Sequence, residues 1–277
     1  MTIFLLFIFV LGLTVGSFLN VCICRIPQGE SIVFPNSHCP HCGCAIRPYD
    51  NIPVISFFLL KGKCRTCGNK ISWQYPLVEL LTAFLFTGVF VRYGMEVQTG
   101  VLWVFFSAII VLIVVDLSAR ILPNVITLPG ILIGLAFSLI SPVEDGTTKS
   151  LLCLLGRSVP DDRVLSLLDS LIGALICGGF LWLVAEAYFY IRKIEGLGFG
   201  DIKLMGMVGS FLGLKLALFT IMLGSLLGAI IGYAFIKLTG KNSRYELPFG
   251  SFLGIAAIVA ALWGKAIIEW YLSLHRF

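Results

Sequence analysis

Charge is what this sequence has least of. Asp, Glu, Lys and Arg make up 13% of its 277 residues, hydrophobic residues make up 58%, and the mean hydropathy is +0.98. A domain with a water-facing surface carries roughly a quarter charged residues, so a soluble globular domain is excluded. Basic residues are also missing ahead of the first apolar run, residues 2–24, and no small-residue cleavage site follows it. That absence predicts a retained helix rather than a removed signal peptide. No supported Ser-His-Asp or Cys-His arrangement is present, and no loop of the phosphate-cradling kind. The net charge of +5 makes no case for a nucleic-acid partner, because the basic residues are gathered into a few loops, where they report orientation in a membrane.

What is abundant is apolar runs. They cover residues 2–24, 75–91, 100–116, 125–140, 165–191, 202–238 and 248–274. A span needs about 20 residues, so the run 202–238 is too long for one and is expected to break at Gly213-Leu214-Lys215. The expectation is an all-α polytopic membrane protein with about eight transmembrane helices. Arg25, Arg47, Lys61, Lys63, Arg65 and Lys70 outnumber Glu30 and Asp50 in the first long loop, which places that loop in the cytoplasm and the N-terminus outside. Arg192 and Lys193, and then Lys237, Lys241 and Arg244, fall on the same side; only His275-Arg276 does not. Residues 141–164, with Glu144, Asp145, Asp161 and Asp162, are expected as an external loop and the least ordered part of the chain. The divisions predicted are a first helix at 1–24, a cytoplasmic cysteine-rich domain at 25–74 and a membrane domain at 75–277. Gly206, Gly209, Gly213, Gly224, Ser225, Gly228 and Gly232 would let helices pack closely.

Four of the nine cysteines form two Cys-x-x-Cys turns, Cys39-Pro40-His41-Cys42 and Cys64-Arg65-Thr66-Cys67, separated by 21 residues. Two such turns supply four thiolates to a tetrahedral zinc in a small zinc-ribbon-like insertion, a closed structural site. A redox pair or unrelated buried thiols is the other reading, and His38, His41 and Cys44 are spare ligands. Cys22, Cys24, Cys153 and Cys177 lie in or near apolar runs and read as packing residues.

Two acids stand at matching ends of apolar runs. Asp116 closes the third, and Asp201 follows Gly198-Phe199-Gly200 at the start of the sixth. An ionisable residue at membrane depth costs free energy unless it is paired, solvated or used. Gly198 and Gly200 permit a sharp bend and a close backbone approach. Paired carboxylates can hydrolyse an amide, one ionised to take a proton from water and one protonated to donate. The plainer reading is that each acid is solvated among lipid headgroups. Lys203, two positions from Asp201, does not face it on a helix and reads as a membrane-surface anchor or a substrate contact. Glu79 is a third acid, open to pairing with a basic loop residue, to binding a substrate amine, or to a merely interfacial role; Glu186 raises the same question more weakly.

Taken together the motifs resemble the type IV prepilin peptidases. The resemblance is carried by Gly16-Ser17-Phe18-Leu19-Asn20-Val21 with Arg25-Ile26-Pro27, by Ser37-His38-Cys39-Pro40, and by Tyr49-Asp50-Asn51-Ile52-Pro53. Gly62-Lys63-Cys64-Arg65 and Tyr75-Pro76-Leu77-Val78-Glu79 continue it. Asp116 with Ile121-Leu122-Pro123, Gly198-Phe199-Gly200-Asp201-Ile202-Lys203 and Pro248-Phe249-Gly250 complete it. It implies an aspartyl endopeptidase of the Gly-x-Gly-Asp class that uses Asp116 and Asp201 to remove a short basic leader from prepilins or pseudopilins at the cytoplasmic face of the bacterial inner membrane. It also implies S-adenosylmethionine-dependent methylation of the new N-terminal amine, usually of phenylalanine, although no glycine-rich fold for that donor is visible. The substrate's apolar N-terminal helix would enter from the lipid. The chain departs from the pattern at Asn124, where aspartate is common, and at Ser251, where proline is common. Two other classes compete: a presenilin-like protease cutting within the bilayer, and a zinc-ribbon scaffold or transporter with acids near mid-membrane.

Overall fold

The structure is a computed structural model, and it describes residues 2–143, 145–156, 161–194, 196–239 and 247–274. Glu144, Lys241, Arg244 and His275-Arg276, which entered the orientation argument, lie outside the described residues. Nine α-helices are present among the described residues: α1 Thr2–Arg25, α2 Ile55–Leu59, α3 Gln74–Tyr93, α4 Val97–Ala119, α5 Asn124–Ser138, α6 Thr147–Leu154, α7 Asp162–Arg192, α8 Phe199–Thr239 and α9 Phe249–Leu274. Two isolated bridges, His38 with Ala45 and Lys63 with Lys70, are the only β-type pairings among them. Six helices, α1, α3, α4, α7, α8 and α9, have the length and hydropathy to cross a membrane, and α5 is apolar but shorter. The chain is therefore an all-α polytopic membrane protein. A count of eight spans needs α5 and both arms of α8 to cross.

The chain divides into two compact units, Met1–Val111 and Leu112–Phe277. In the first, α1 lies against α3 at a distance that only glycine permits. A Cβ on Gly12 would sit 2.5 Å from Ala83 Cα, and one on Gly16 would sit 2.6 Å from Glu79 Cα. This pair, four residues apart, is a small-residue interface of the kind that drives helix association in lipid. Phe86 stacks on Trp103 with centroids 4.9 Å apart, and the Trp103 indole N–H donates to the Phe86 carbonyl at 3.0 Å. At the end of α1 the buried Arg25 donates to the carbonyls of Ser31 at 3.0 Å and Pro35 at 2.7 Å, which turns the chain into the cysteine loop.

In the second unit α7 and α8 meet backbone to backbone, since a Cβ on Gly209 would lie 2.3 Å from the Gly173 carbonyl oxygen. Valine at Gly209 must part the two helices, and we expect a destabilisation of about 3 kcal/mol. The check is a thermal melt in detergent beside Gly179→Ala, whose position has nothing within 4 Å and should be neutral.

α8 breaks at Gly213, with φ 77° and ψ −179°, at the place the length of the apolar run required. The break is capped by a network that the sequence reading did not anticipate. The Lys215 N–H donates to Asp145 Oδ1 at 3.1 Å, and Lys215 Nζ donates to the Asp145 carbonyl. Asp169 accepts from the N–H groups of Gly146 at 3.1 Å and Thr148 at 2.7 Å. Glu144 and residues 157–160 lie outside the described residues; the described residues of 141–164, a segment expected to be an external loop with little order, include α6 and the first turn of α7. The reason is electrostatic: Asp145 and Asp169 are buried, and buried carboxylates require donors, which fixes the backbone that supplies them.

Candidate active site

Asp116 lies one turn before the end of α4 and is 6% exposed. Arg120, with φ 56°, donates its N–H to the Asp116 carbonyl at 2.9 Å and ends the helix. Leu122 and Pro123 follow and lead into α5. Asp201 is the third residue of α8 and is 7% exposed, its N–H bonded to the Gly198 carbonyl at 3.0 Å.

The two acids are brought together by α9. A Cβ on Gly250 would sit 2.9 Å from Asp201 Oδ1 and 3.2 Å from Asp116 Oδ2, so the two oxygens are no farther apart than those distances combined. Gly250 is glycine because a side chain there would push the carboxylates away. Leu122 closes the same space: a Cβ on Gly200 would meet its Cβ at 2.9 Å, and one on Gly250 its Cδ1 at 2.8 Å. Neither Gly198 nor Gly200 has positive φ. Gly200 therefore serves the close approach of a leucine side chain rather than a sharp bend, while a Cβ on Gly198 would come within 3.4 Å of Asp201 Oδ2, an ordinary contact.

Ser251 completes the site, and sequence reasoning marked it only as a departure from a pattern. Its N–H lies 2.6 Å and its hydroxyl 2.8 Å from Asp116 Oδ2. The available signal was its position in the first turn of α9, where N–H groups lack intrahelical partners. Lys203 turns away from the pair. Its Nζ donates to Asn124 Oδ1 at 2.7 Å and sits 4.7 Å from the centre of the Phe199 ring.

Glu79 belongs to the first unit. Its Oε2 accepts from the Val54 N–H at 2.7 Å and its carboxylate also accepts from the Ser17 side chain, so its partners are a backbone amide and a hydroxyl rather than a basic side chain. Val54 has φ 61°, a strained conformation for a β-branched residue, and this bond holds it. Glu79, Tyr75, Phe57, Cys24 and Asp50 help to line a cavity of about 370 Å³ beside the cysteine loop. Asp50 forms a two-pronged ion pair with Arg65, at 2.8 and 2.6 Å, which holds its carboxyl below the usual range. Glu186 is exposed on α7.

The cysteine turns are two copies of one structure. In the first, the Cys39 N–H bonds the Cys44 carbonyl at 2.9 Å and the Gly43 N–H bonds the Cys39 carbonyl at 2.9 Å; in the second, Cys64 bonds Asn69 at 2.8 Å and Gly68 bonds Cys64 at 3.0 Å. Gly43 and Gly68 both have positive φ, 69° and 71°. The signal for this, a glycine directly after each Cys-x-x-Cys, is present in the sequence. The Sγ atoms of Cys39, Cys42, Cys64 and Cys67 all lie within 4.8 Å of one another, with Cys39 and Cys67 at 3.9 Å. Tetrahedral zinc thiolate bonds of about 2.3 Å require sulfurs about 3.8 Å apart, so the four fit a metal; His38, His41 and Cys44 are not in the cluster. The Cys67 and Thr66 N–H groups hold the Cys64 thiol down to about 6. Cys42, in spite of a bond from the Cys44 backbone, is pushed up to about 12 by desolvation and by the neighbouring thiols. A dication entering the cluster would displace the protons that remain.

Two buried carboxylates sharing one site, with a helix N-terminus beside them, are equipped for general acid–base work on water and an amide. Residues 10–93 match the bacterial peptidase A24 N-terminal domain, and residues 103–233 match the type IV leader peptidase family. A prepilin leader peptidase/N-methyltransferase of Pseudomonas aeruginosa is 34% identical over 300 residues, covering 99% of this chain and 95% of the relative. The chain belongs to the type IV leader peptidase family. Enzymes of the same name from Aeromonas hydrophila and Bacillus subtilis are 34% and 35% identical, covering 96% of this chain in each case and 93% and 97% of the relatives. No solved structure matches the chain. For a member of the leader peptidase family, the matched span 103–233 contains Asp116 and Asp201, while the cysteine cluster and Glu79 fall in the matched N-terminal domain.

Proposed function

We propose that the protein is a prepilin leader peptidase and N-methyltransferase. It removes the short basic leader from type IV prepilins or type II secretion pseudopilins and then methylates the new N-terminal residue, usually phenylalanine. The observation that carries the reading is the placement of the Asp116 and Asp201 carboxylates on either side of Gly250 in one buried site. In cleavage one aspartate takes a proton as water attacks the scissile carbonyl, and the other gives its proton to the carbonyl oxygen. When the C–N bond breaks, the leaving amine receives a proton and the pair returns to its starting state.

The topology of this reading has residues 1–24 as the first membrane helix, 25–74 as a cytoplasmic metal-binding domain and 75–277 as the membrane peptidase domain. Residues 141–164 lie outside. Both aspartates then face the cytoplasm, which is where the basic leader stays. The substrate's apolar helix enters from the surrounding lipid, and Lys203, held by Asn124, stands near the mouth as a surface contact. Zinc is the metal that the four thiols suit, and a closed four-thiolate site makes it structural. S-adenosylmethionine supplies an electrophilic methyl group when bound. The cavity beside the cysteine loop has a suitable volume, and the acidic and aromatic side chains of Glu79 and Tyr75 in its wall suit a cationic donor and an amine acceptor.

The test is incubation of the purified protein in detergent with a prepilin carrying a basic leader, followed by mass analysis of the cut site. We expect a cut directly before the phenylalanine and, with the methyl donor added, one methyl on the new amine. A cut inside the apolar stretch would contradict the reading in favour of a presenilin-like protease.

A further inference from the structure

We propose that Ser251 is a positioning residue that divides the labour of the pair: it holds Asp116 as the carboxylate that accepts the proton of water, and so leaves Asp201 to carry the proton given to the substrate. This rests on the two-aspartate reading above. Ser251 is the third residue of α9, and its N–H has no partner within its own helix. Both the N–H and the hydroxyl instead reach one oxygen, Asp116 Oδ2, at 2.6 and 2.8 Å, in a setting where Ser251 is 1% exposed. The other acceptor near the hydroxyl, the Ile113 carbonyl, is farther, at 3.1 Å.

Two donors on one oxygen at a helix N-terminus suit a negative charge and do little for a neutral acid. Asp201 also sits in the first turn of a helix, so the helix dipole does not separate the two acids; the donors do. Among the described residues, the donor found for the Asp201 carboxyl is the Gly198 backbone. The charged groups around Asp116 are Asp201 from α8 and Arg120 from the end of α4. α5 has no charged side chain, α9 has none before Lys265, and Lys203 is bonded to Asn124. With one carboxylate already charged, its neighbour keeps its proton because two adjacent charges are costly in a buried site. In the reaction the water oxygen bonds to the carbonyl carbon, the water proton passes to Asp116, and the Asp201 proton passes to the carbonyl oxygen. On collapse the C–N bond breaks, Asp116 gives its proton to the amine, and Asp201 recovers its own.

The experiment is the pH profile of kcat/KM for prepilin cleavage by the purified full-length protein and by Ser251→Ala, Ser251→Thr and Ser251→Pro. Alanine removes the hydroxyl donor, and proline removes both donors. The acidic limb should move up by about one pH unit in the alanine variant and further in the proline variant, and return to the wild-type position with threonine. If the proline variant does not fold, alanine against threonine decides. An acidic limb that stays in place, whether the rate is unchanged or falls equally at every pH, overturns the assignment and leaves Ser251 as a packing residue. Asp116→Asn and Asp201→Asn belong in the same series. If both are inactive, an unmoved limb removes only the Ser251 assignment; if either cleaves, the two-aspartate reading fails and this one with it.

Discussion

Asparagine in place of Asp116 or Asp201 should slow leader cleavage by at least about a thousandfold, within the range that a positioned acid or base contributes. Each substitution keeps the shape of the side chain. At position 116 the amide oxygen can still accept from the Ser251 donors, so the link between α4 and α9 survives. At position 201 the amide sits in the same space beside Gly250 and Leu122. What is lost is chemical: an amide neither takes a proton from water nor donates a carboxylic proton. Melting curves in detergent should therefore stay close to wild type while single-turnover cleavage disappears. Normal cleavage by either variant would show that the acids are only interfacial charges.

Loss of the metal should have the second large effect. Residues 25–74 contain one five-residue helix, two short 3-10 turns and two isolated bridges, and little of the loop is buried. Such a segment depends on its cross-link, and four-thiolate metal binding contributes on the order of 10 kcal/mol at neutral pH. Serine at Cys39 and Cys64 should abolish bound metal, and protease should then cut within 25–74. Acid should act in the same direction. Protons compete with the metal for the four thiolates, so the metal should be held at neutral pH and lost progressively as pH falls into the acid range. Elemental analysis after dialysis across that range is the check, and full retention of metal by the double serine variant would remove the site.

Much of this was written in one dimension. The apolar runs became helices because their length and composition leave the backbone no other way to satisfy itself in lipid. The break at Gly213 followed from a run too long for one span, and the two cysteine turns from the spacing that a tetrahedral ion demands. Asp116 and Asp201 stood out because acids are rare at such positions. Features that depend on contact between distant residues did not show. Ser251 meets an aspartate 135 residues away; its place in the first turn of α9 marks a free N–H, but nothing in the sequence says which acceptor it finds. Gly12 and Gly16 look like ordinary small residues until α3 is laid across them. The bonds of Asp145 to the second arm of α8 and of Asp169 to the start of α6 also did not show, because burial rather than composition decides whether a carboxylate is solvated or paired.

The measurement that bears most directly on the carboxylate pair is a comparison of both activities in Asp201→Asn, with intact prepilin as one substrate and an already shortened pilin as the other, in the presence of S-adenosylmethionine. Mass spectrometry should show the leader uncut on the first and a methyl added to the second at the wild-type rate, as expected if the aspartates serve cleavage and not methylation. A variant that removes the leader normally would contradict the assignment of cleavage to Asp116 and Asp201.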